Sequence, residues 1–122
     1  MERIQEFSRG GKDFIFFDLS NFKRNEEFSQ LIDEAKPRVA KYPPKSLYTI
    51  TDIEGIDYDT TTKKLIAEWM TYNKPYVKYG VVIGIDEIKR VMVSAIFSLS
   101  GRKNMSQASS KEDAIERLLS QE

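Results

Sequence analysis

The order of apolar and polar positions along the chain predicts β-strands separated by helices. Strands are expected at residues 3–8, 13–19, 47–53 and 77–85, with a short one around Met105. Helices are expected to begin at Asn25, at Asp59 or Thr60, at Asp86 and at Ser110, each followed by apolar residues at helical spacing. The resulting order, β-β-α-β-α-β-α-β-α, predicts an α/β fold with a mostly parallel sheet and right-handed crossovers.

The second strand has two apolar faces. Phe14 and Phe16 point one way, and Ile15, Phe17 and Leu19 point the other way. This pattern predicts a central strand covered on both sides, joined through Gly10-Gly11 to an antiparallel edge strand. If the helices cover only one face of the sheet, the other exposes aromatic surface. A homodimer through that face, or through the edge of the sheet, is then expected.

Three further expectations concern individual elements. Pro37 predicts a kink or an early end in the first helix. The second helix is expected to direct its apolar stripe inward, and the fourth strand to place four apolar side chains on one face. These residues are Leu65, Ile66, Trp69 and Met70 in the helix, and Tyr79, Val81, Ile83 and Ile85 in the strand.

Length and composition narrow the class of protein. The 122 residues suit one domain, 1–122, and the formal net charge is zero. A neutral chain argues against broad electrostatic binding to nucleic acid or to an anionic membrane. The N-terminus lacks the apolar region of a signal peptide and no apolar run reaches membrane-spanning length, so a cytoplasmic location is expected.

The chain contains no cysteine and no histidine. Disulfides, thiolate metal sites and thiol nucleophiles are therefore excluded, and the usual general base is missing. An enzyme would have to use carboxylate, lysine or tyrosine groups alone, so an enzyme is the third of three functional hypotheses. No cofactor or metal site is predicted.

Several segments carry a resemblance to a known family. They are Leu47-Tyr48-Thr49-Ile50-Thr51-Asp52-Ile53-Glu54-Gly55, then Asn73-Lys74-Pro75-Tyr76-Val77-Lys78, and Ser100-Gly101-Arg102 before a helix rich in Ala and Leu. Together with the order of elements, these segments resemble a stand-alone bacterial STAS-like domain, which has the fold of anti-sigma-factor antagonists. They also resemble uncharacterised proteins that are related to both STAS domains and CRAL-TRIO lipid-binding domains. The resemblance implies about five strands and about four helices.

The resemblance also implies a phosphorylation site. In anti-sigma-factor antagonists, a serine in an Asp-Ser-Ser-Gly segment opens a helix, and its phosphorylation switches partner binding. The matching segment here is Asp59-Thr60-Thr61-Thr62, so Thr60 or Thr61 is the candidate phosphoacceptor. A phosphate at a helix N-terminus meets free backbone N–H groups. The alternative is a plain N-cap run, in which Asp and Thr are common.

Three other groups of residues are candidate binding sites. Asp52 lies at the carboxyl end of a predicted strand, where open α/β sheets bind ligands, although it could also be a solvated loop acid. Four aromatic side chains could line a pocket for a lipid or another small amphiphile, or could belong to the core; they are Tyr58, Trp69, Tyr76 and Tyr79. Three basic residues could contact an anion if their loops converge, or they could be solvated charges; they are Lys74, Lys78 and Arg102.

These observations favour a non-catalytic regulatory or protein-interaction module, with a homodimer expected. Its partner surface would be the 52–61 loop and the start of the second helix, including Asp59. The alternative is a small carrier that binds an amphiphile among its aromatic residues. The two hypotheses differ in the site they require, because a carrier needs a closed aromatic pocket and an interaction module needs an exposed surface near Thr60.

Overall fold

The computed structural model describes residues 3–22, 25–56, 59–85, 90, 91, 93–95 and 104–121. Its strands are β1 (Ile4–Arg9), β2 (Lys12–Asp18), β3 (Leu47–Asp52), β4 (Val77–Ile83) and β5 (Met105–Gln107). Its helices are α1 (Asn25–Ala40), α2 (Thr60–Asn73), α3 at residues 90, 91 and 93–95, and α4 (Lys111–Leu119). This order confirms the predicted α/β fold. Asp86, the predicted cap of α3, lies outside the described residues.

The five strands form one sheet in sequence order, from β1 at one edge to β5 at the other. β1 pairs antiparallel with β2, and the other neighbours pair parallel. Gly10 and Gly11 make the predicted hairpin turn, with φ values of 62° and 77° that favour glycine. Because β2 to β5 are parallel, their carboxyl ends meet at one end of the sheet, and this end carries the candidate site.

Helices α1, α2 and α3 contribute to the core on one face of the sheet. In this core Phe17 of β2 and Trp69 of α2 make an edge-to-face contact, with ring centroids 5.0 Å apart. Side chains from both neighbouring helices, such as Phe28 and Val93, are buried in the same cluster. Since each aromatic side chain buries a large apolar area, this face supplies much of the hydrophobic stabilisation.

Helix α4 covers the opposite face. Its residues Ala114, Ile115 and Leu118 are buried against β2, β3 and β4, over Phe14, which is fully buried, and Phe16, which is 8% exposed. The prediction that β2 is covered on both sides is therefore confirmed. Because α4 covers this face, its aromatic residues are not available for the homodimer that was expected to form through an exposed face of the sheet. A homodimer through the edge of the sheet, the other expected arrangement, does not depend on this face.

A lysine at the start of β2 joins this strand to the end of α4. The ammonium group of Lys12 donates hydrogen bonds to the carbonyl oxygens of Leu118 and Leu119, each at 3.0 Å, and to that of Gln121. The last carbonyl groups of a helix lack partners within the helix and carry partial negative charge, so a cation is stabilising there. At the other end of α4, the hydroxyl of Ser110 accepts from the backbone N–H of Asp113 at 3.1 Å, as predicted for an N-cap.

Two sequence predictions differ from the structure. Of the kink or early end expected at Pro37, the early end is wrong, since α1 passes Pro37 and ends at Ala40. Ile85 does not share a face with Val81 and Ile83, because β4 ends at Ile83 and Gly84 has a φ of 80°, after which Ile85 packs against the α1 side. Among the described residues, no helix is long and apolar enough to span a membrane.

Candidate functional site at the carboxyl end of the sheet

Two aspartates lie side by side where β2 and β3 end. Asp18 and Asp52 are direct neighbours in the parallel register of the two strands. By strand alternation their side chains lie on the same face as Phe16 and Ile50, the face covered by α4. The carboxyl ends of parallel strands are where open α/β sheets place ligands, so this pair marks the end of the sheet at which a site is expected.

Each aspartate closes a turn of the same form. The carboxylate of Asp18 accepts the backbone N–H of Ser20 at 3.0 Å and also the Ser20 hydroxyl. The carboxylate of Asp52 accepts the backbone N–H of Glu54 at 3.0 Å. Because an Asp side chain that bonds to the backbone two residues later mimics a backbone turn, both loops leave the sheet with a defined direction.

The electrostatic surroundings of the two carboxylates differ. Arg3 lies 3.8 Å from the Asp18 carboxylate, and its guanidinium donates to the backbone carbonyls of Asp18 and Ser20 at 3.0 and 2.9 Å. Asp52 has no such cation among its described contacts. Burial raises the pKa of Asp52 above its ordinary value; the Glu54 N–H lowers it, and the charges of Asp18 and Glu54 raise it further.

Backbone hydrogen bonds hold the two loops together. The N–H of Leu19 donates to the carbonyl of Asp52 at 2.8 Å, and the N–H of Asn21 donates to that of Glu54 at 2.7 Å. Gly84, at the end of β4, completes this end of the sheet. A Cβ on Gly84 would lie 2.6 Å from both the Asp52 carboxylate and the Glu54 nitrogen, so only glycine allows this close approach.

Helix α2 begins at the same end of the sheet, on the side of α1. Asp59 is its N-cap, and the Asp59 carboxylate accepts the backbone N–H of Thr62 at 2.7 Å. Thr60 and Thr61 form the start of the first turn, and both are exposed, whereas Thr62 is buried. Asp52 is on the α4 side of this end of the sheet, and the start of α2 is on the α1 side. We call the set Asp52, Glu54, Asp59, Thr60 and Thr61, which share this end of the sheet, the carboxyl-end surface. It carries three acidic groups and two accessible hydroxyl groups.

Comparison with solved structures finds a protein with the same arrangement of elements. The match covers 96% of this chain and 98% of the other, with a TM-score of 0.63 and 14% sequence identity. The matched structure is that of an anti-sigma-factor antagonist (STAS) domain protein from Planctomyces limnophilus. The chain has a STAS-like fold. No family model and no curated protein matches its sequence.

The STAS-like fold separates the aromatic residues that the sequence grouped into one pocket. Trp69 is only 3% exposed and, with Tyr76, belongs to the cluster on the α1 side, whereas Tyr79 packs on the α4 side. Because the sheet lies between these two clusters, Trp69 and Tyr79 cannot line one cavity. Tyr58, the fourth predicted member, lies outside the described residues.

The predicted anion contacts lie at the opposite end of the sheet from the carboxyl-end surface. Lys74 directly follows α2, and Lys78 is the second residue of β4, so both are at the amino end of the parallel strands. The Asn104 side chain donates to the carbonyls of Val77 and Lys78 at 3.0 and 2.8 Å, which joins the segment before β5 to the start of β4. Arg102 lies outside the described residues, so its approach to the lysines stays a prediction.

The sequence interpretation missed Asp18 and the residues that hold it. A signal was present, because Asp18-Leu19-Ser20 and Asp52-Ile53-Glu54 share the order aspartate, apolar residue, polar residue directly after an apolar strand. Within the described part of the chain, no group of three or more acidic residues is placed to hold a metal ion.

Proposed function

We propose that this STAS-like domain is a non-catalytic regulatory or protein-interaction module that binds a protein partner through its carboxyl-end surface. The observation that carries the proposal is the exposure of Thr60 and Thr61 on the first turn of α2, beside the acidic Asp59 and at the same end of the sheet as Asp52 and Glu54. Polar side chains presented in loops on a rigid scaffold are typical of binding surfaces.

The charge of this surface suggests the chemistry of the partner. Asp52, Glu54 and Asp59 are acidic, and Arg3 is occupied by Asp18 and by backbone carbonyls. Two lysines, Lys63 and Lys64, follow the exposed threonines along α2. A partner that presents Lys or Arg side chains would complement this end of the molecule. Phosphorylation of Thr60 or Thr61 would add a charge of about −1.5 to −2 to the same surface and change the affinity for such a partner.

The test compares variants of α2 in their binding to host proteins. Wild type, Thr60→Glu and the matched control Thr71→Glu are used as bait in the lysate of the protein's own host, and bound proteins are quantified by mass spectrometry. Thr71 is exposed on the same helix and far from its start, so it adds the same charge at the wrong place. The proposal predicts a protein whose recovery changes with Thr60→Glu alone.

Stability is measured alongside binding. Glu at the first helical position is favourable to the helix dipole, so Thr60→Glu should change the free energy of unfolding by about 1 kcal/mol or less. If the measured change is this small, a change of partner recovery does not result from unfolding. If both variants recover the same proteins as wild type in the same amounts, the proposed surface is wrong.

The carrier hypothesis receives no support from the placement of the aromatic residues, because Trp69 is core and Tyr79 is on the other face of the sheet. The homodimer, the cytoplasmic location and the bacterial origin stay predictions.

A further inference from the structure

The outer edge of β1 is an open strand edge. β1 is the first strand of the sheet, and among the described residues only β2 pairs with it. The N–H of Asp18 donates to the carbonyl of Arg3 at 2.7 Å, so Arg3 and Asp18 form a hydrogen-bonded pair of the antiparallel ladder. Because such pairs alternate, Gln5, Phe7 and Arg9 bond to β2, and the backbone groups of Ile4, Glu6 and Ser8 point outward.

The outward backbone groups have no partner in the described part of the chain. No backbone bond from another element reaches the N–H or carbonyl of Glu6 or Ser8. β1 keeps a regular register over all six residues and contains no proline. Proteins usually protect an edge strand with a bulge, a proline, a short length or charged side chains. Of these devices β1 has only charged side chains, Glu6 and Arg9, and both are paired within the chain.

Space is available beside this edge. A groove of about 330 Å³ follows β1 from Gln5 to Arg9 and is bounded on the other side by Lys111, Glu112 and Ile115 of α4. Phe7 is partly buried there and stacks on Phe14, with ring centroids 5.1 Å apart and planes within 2°. An added strand would cover the exposed part of Phe7.

We propose that β1 pairs antiparallel with β1 of a second copy, which joins two sheets across a two-fold axis at Phe7. In this register Phe7 faces Phe7 of the second copy, Gln5 faces Arg9, and Glu6 faces Ser8. No like charges stand directly opposite each other, and aromatic pairs across strands are stabilising. The outward groups of Glu6 and Ser8 would form roughly four backbone hydrogen bonds between the copies.

The charges near the edge are compatible with this pairing. The Glu6 carboxylate contacts Arg38 at 2.8 Å and Lys41 at 2.9 Å, and Arg9 lies 4.0 Å from Glu112, so these charges are balanced within each copy. The chain as a whole has a formal net charge of zero, so two copies do not repel each other at long range. A two-fold pairing also uses one surface twice, as isologous dimers do.

The first test is a cysteine pair, which is clean because the chain has no cysteine of its own. In the proposed register Phe7→Cys places two Cα atoms about 4.5 Å apart, within the range of a disulfide. Arg9→Cys is the control. Position 9 is more exposed than position 7, but in the proposed register the two residues at position 9 would lie four residues apart along the strands, or roughly 13 Å.

Mild oxidation of dilute protein followed by a non-reducing gel reads out the result. The proposal predicts a covalent dimer of Phe7→Cys that forms at least about tenfold faster than that of Arg9→Cys. Equal rates for the two variants, or no covalent dimer of Phe7→Cys, would overturn the proposed register.

The second test is the oligomeric state, measured by sedimentation at about 1 to 200 µM protein. Ser8→Pro removes an outward donor that β2 does not use, so it should convert the dimer to a monomer with an unchanged circular dichroism spectrum. Gln5→Glu, facing Arg9 of the second copy, should lower the dimer dissociation constant about threefold or more, and Gln5→Lys should raise it as much.

A monomeric wild type over the whole concentration range would overturn the proposal, as would a dimer that does not respond to the Gln5 variants. These variants decide the matter even if Ser8→Pro does not fold. The carboxyl-end surface is not involved, so failure of this proposal and failure of the proposed function are distinguishable: Thr60→Glu should leave the dimer unchanged.

Discussion

Replacing Glu6 by Gln should destabilise the fold, because this carboxylate connects β1 to the end of α1. One Glu6 oxygen accepts the Nε–H of Arg38 at 2.8 Å. The other accepts the Tyr42 hydroxyl at 2.6 Å and lies 2.9 Å from the Lys41 ammonium. Burial alone would raise the pKa of Glu6, but the hydrogen bonds from Tyr42, Lys41 and Arg38 outweigh it and lower the pKa from 4.5 to about 2.

The lowered pKa sets the size of the effect. The difference between 4.5 and about 2 corresponds to about 3 kcal/mol, at about 1.36 kcal/mol per pKa unit. The side chain of Lys41 is 58% exposed, so solvent weakens its share of the interaction. Because Gln also keeps some hydrogen bonds, we expect Glu6→Gln to lower the free energy of unfolding by about 1 to 2 kcal/mol at pH 7.

The pH dependence has a defined sign. The folded-state pKa of Glu6 lies below the unfolded one, so the stabilisation is fully present above pH 4.5 and is lost as the pH falls towards about 2. In urea titrations, the gap between wild type and Glu6→Gln should therefore shrink by roughly half between pH 7 and pH 3.

Glu34→Gln is the matched control. The Glu34 carboxylate lies 4.0 Å from Arg38 and its side chain is 64% exposed, so its removal should cost less than about 0.5 kcal/mol. Equal losses for Glu6→Gln and Glu34→Gln, or a gap for Glu6→Gln that does not depend on pH, would refute this reasoning.

Three further variants test other contacts. Lys12→Met should destabilise the protein by about 1 to 2 kcal/mol and speed amide hydrogen exchange in α4, since it removes the donor to the last carbonyl groups of this helix. Gly84→Ala should cost about 1 to 3 kcal/mol in urea unfolding, because alanine at a φ of 80° is strained and its Cβ would meet the Asp52 carboxylate. Asp52→Asn should raise the urea midpoint at pH 7, because burial raises the pKa of the Asp52 carboxyl group in the folded state and so disfavours its charged form. This gain should disappear as the pH falls, because the wild-type carboxyl group is then protonated.

The sequence predicted those features of the fold that follow from local patterns. The two apolar faces of β2 indicated a strand buried on both sides, and Phe14 and Ile15 are both fully buried. The predicted caps were Asp59 or Thr60 for α2 and Ser110 for α4. In the structure Asp59 and Ser110 each accept the backbone N–H three residues later. Such features depend on neighbouring residues, so one sequence is sufficient to find them.

Features that depend on the geometry between elements could not be predicted. The sequence places Tyr79 close to Tyr76, but the strand alternation of β4 puts Tyr79 on the opposite face from Trp69. The positive φ of Gly84 turns Ile85 away from its expected face. The approach of Asp18 to Asp52 depends on the register of β2 against β3, which only the assembled sheet defines.

The most direct test of the account is covalent capture at the carboxyl-end surface. A photocrosslinking amino acid is placed at Thr61, or at Thr71 as a control, and the two proteins are produced and irradiated in the protein's own host. Both positions are exposed on α2, but only Thr61 lies at its start. The account predicts a defined crosslinked protein from position 61 that is absent from position 71. The same adducts from both positions, or none from position 61, would contradict it.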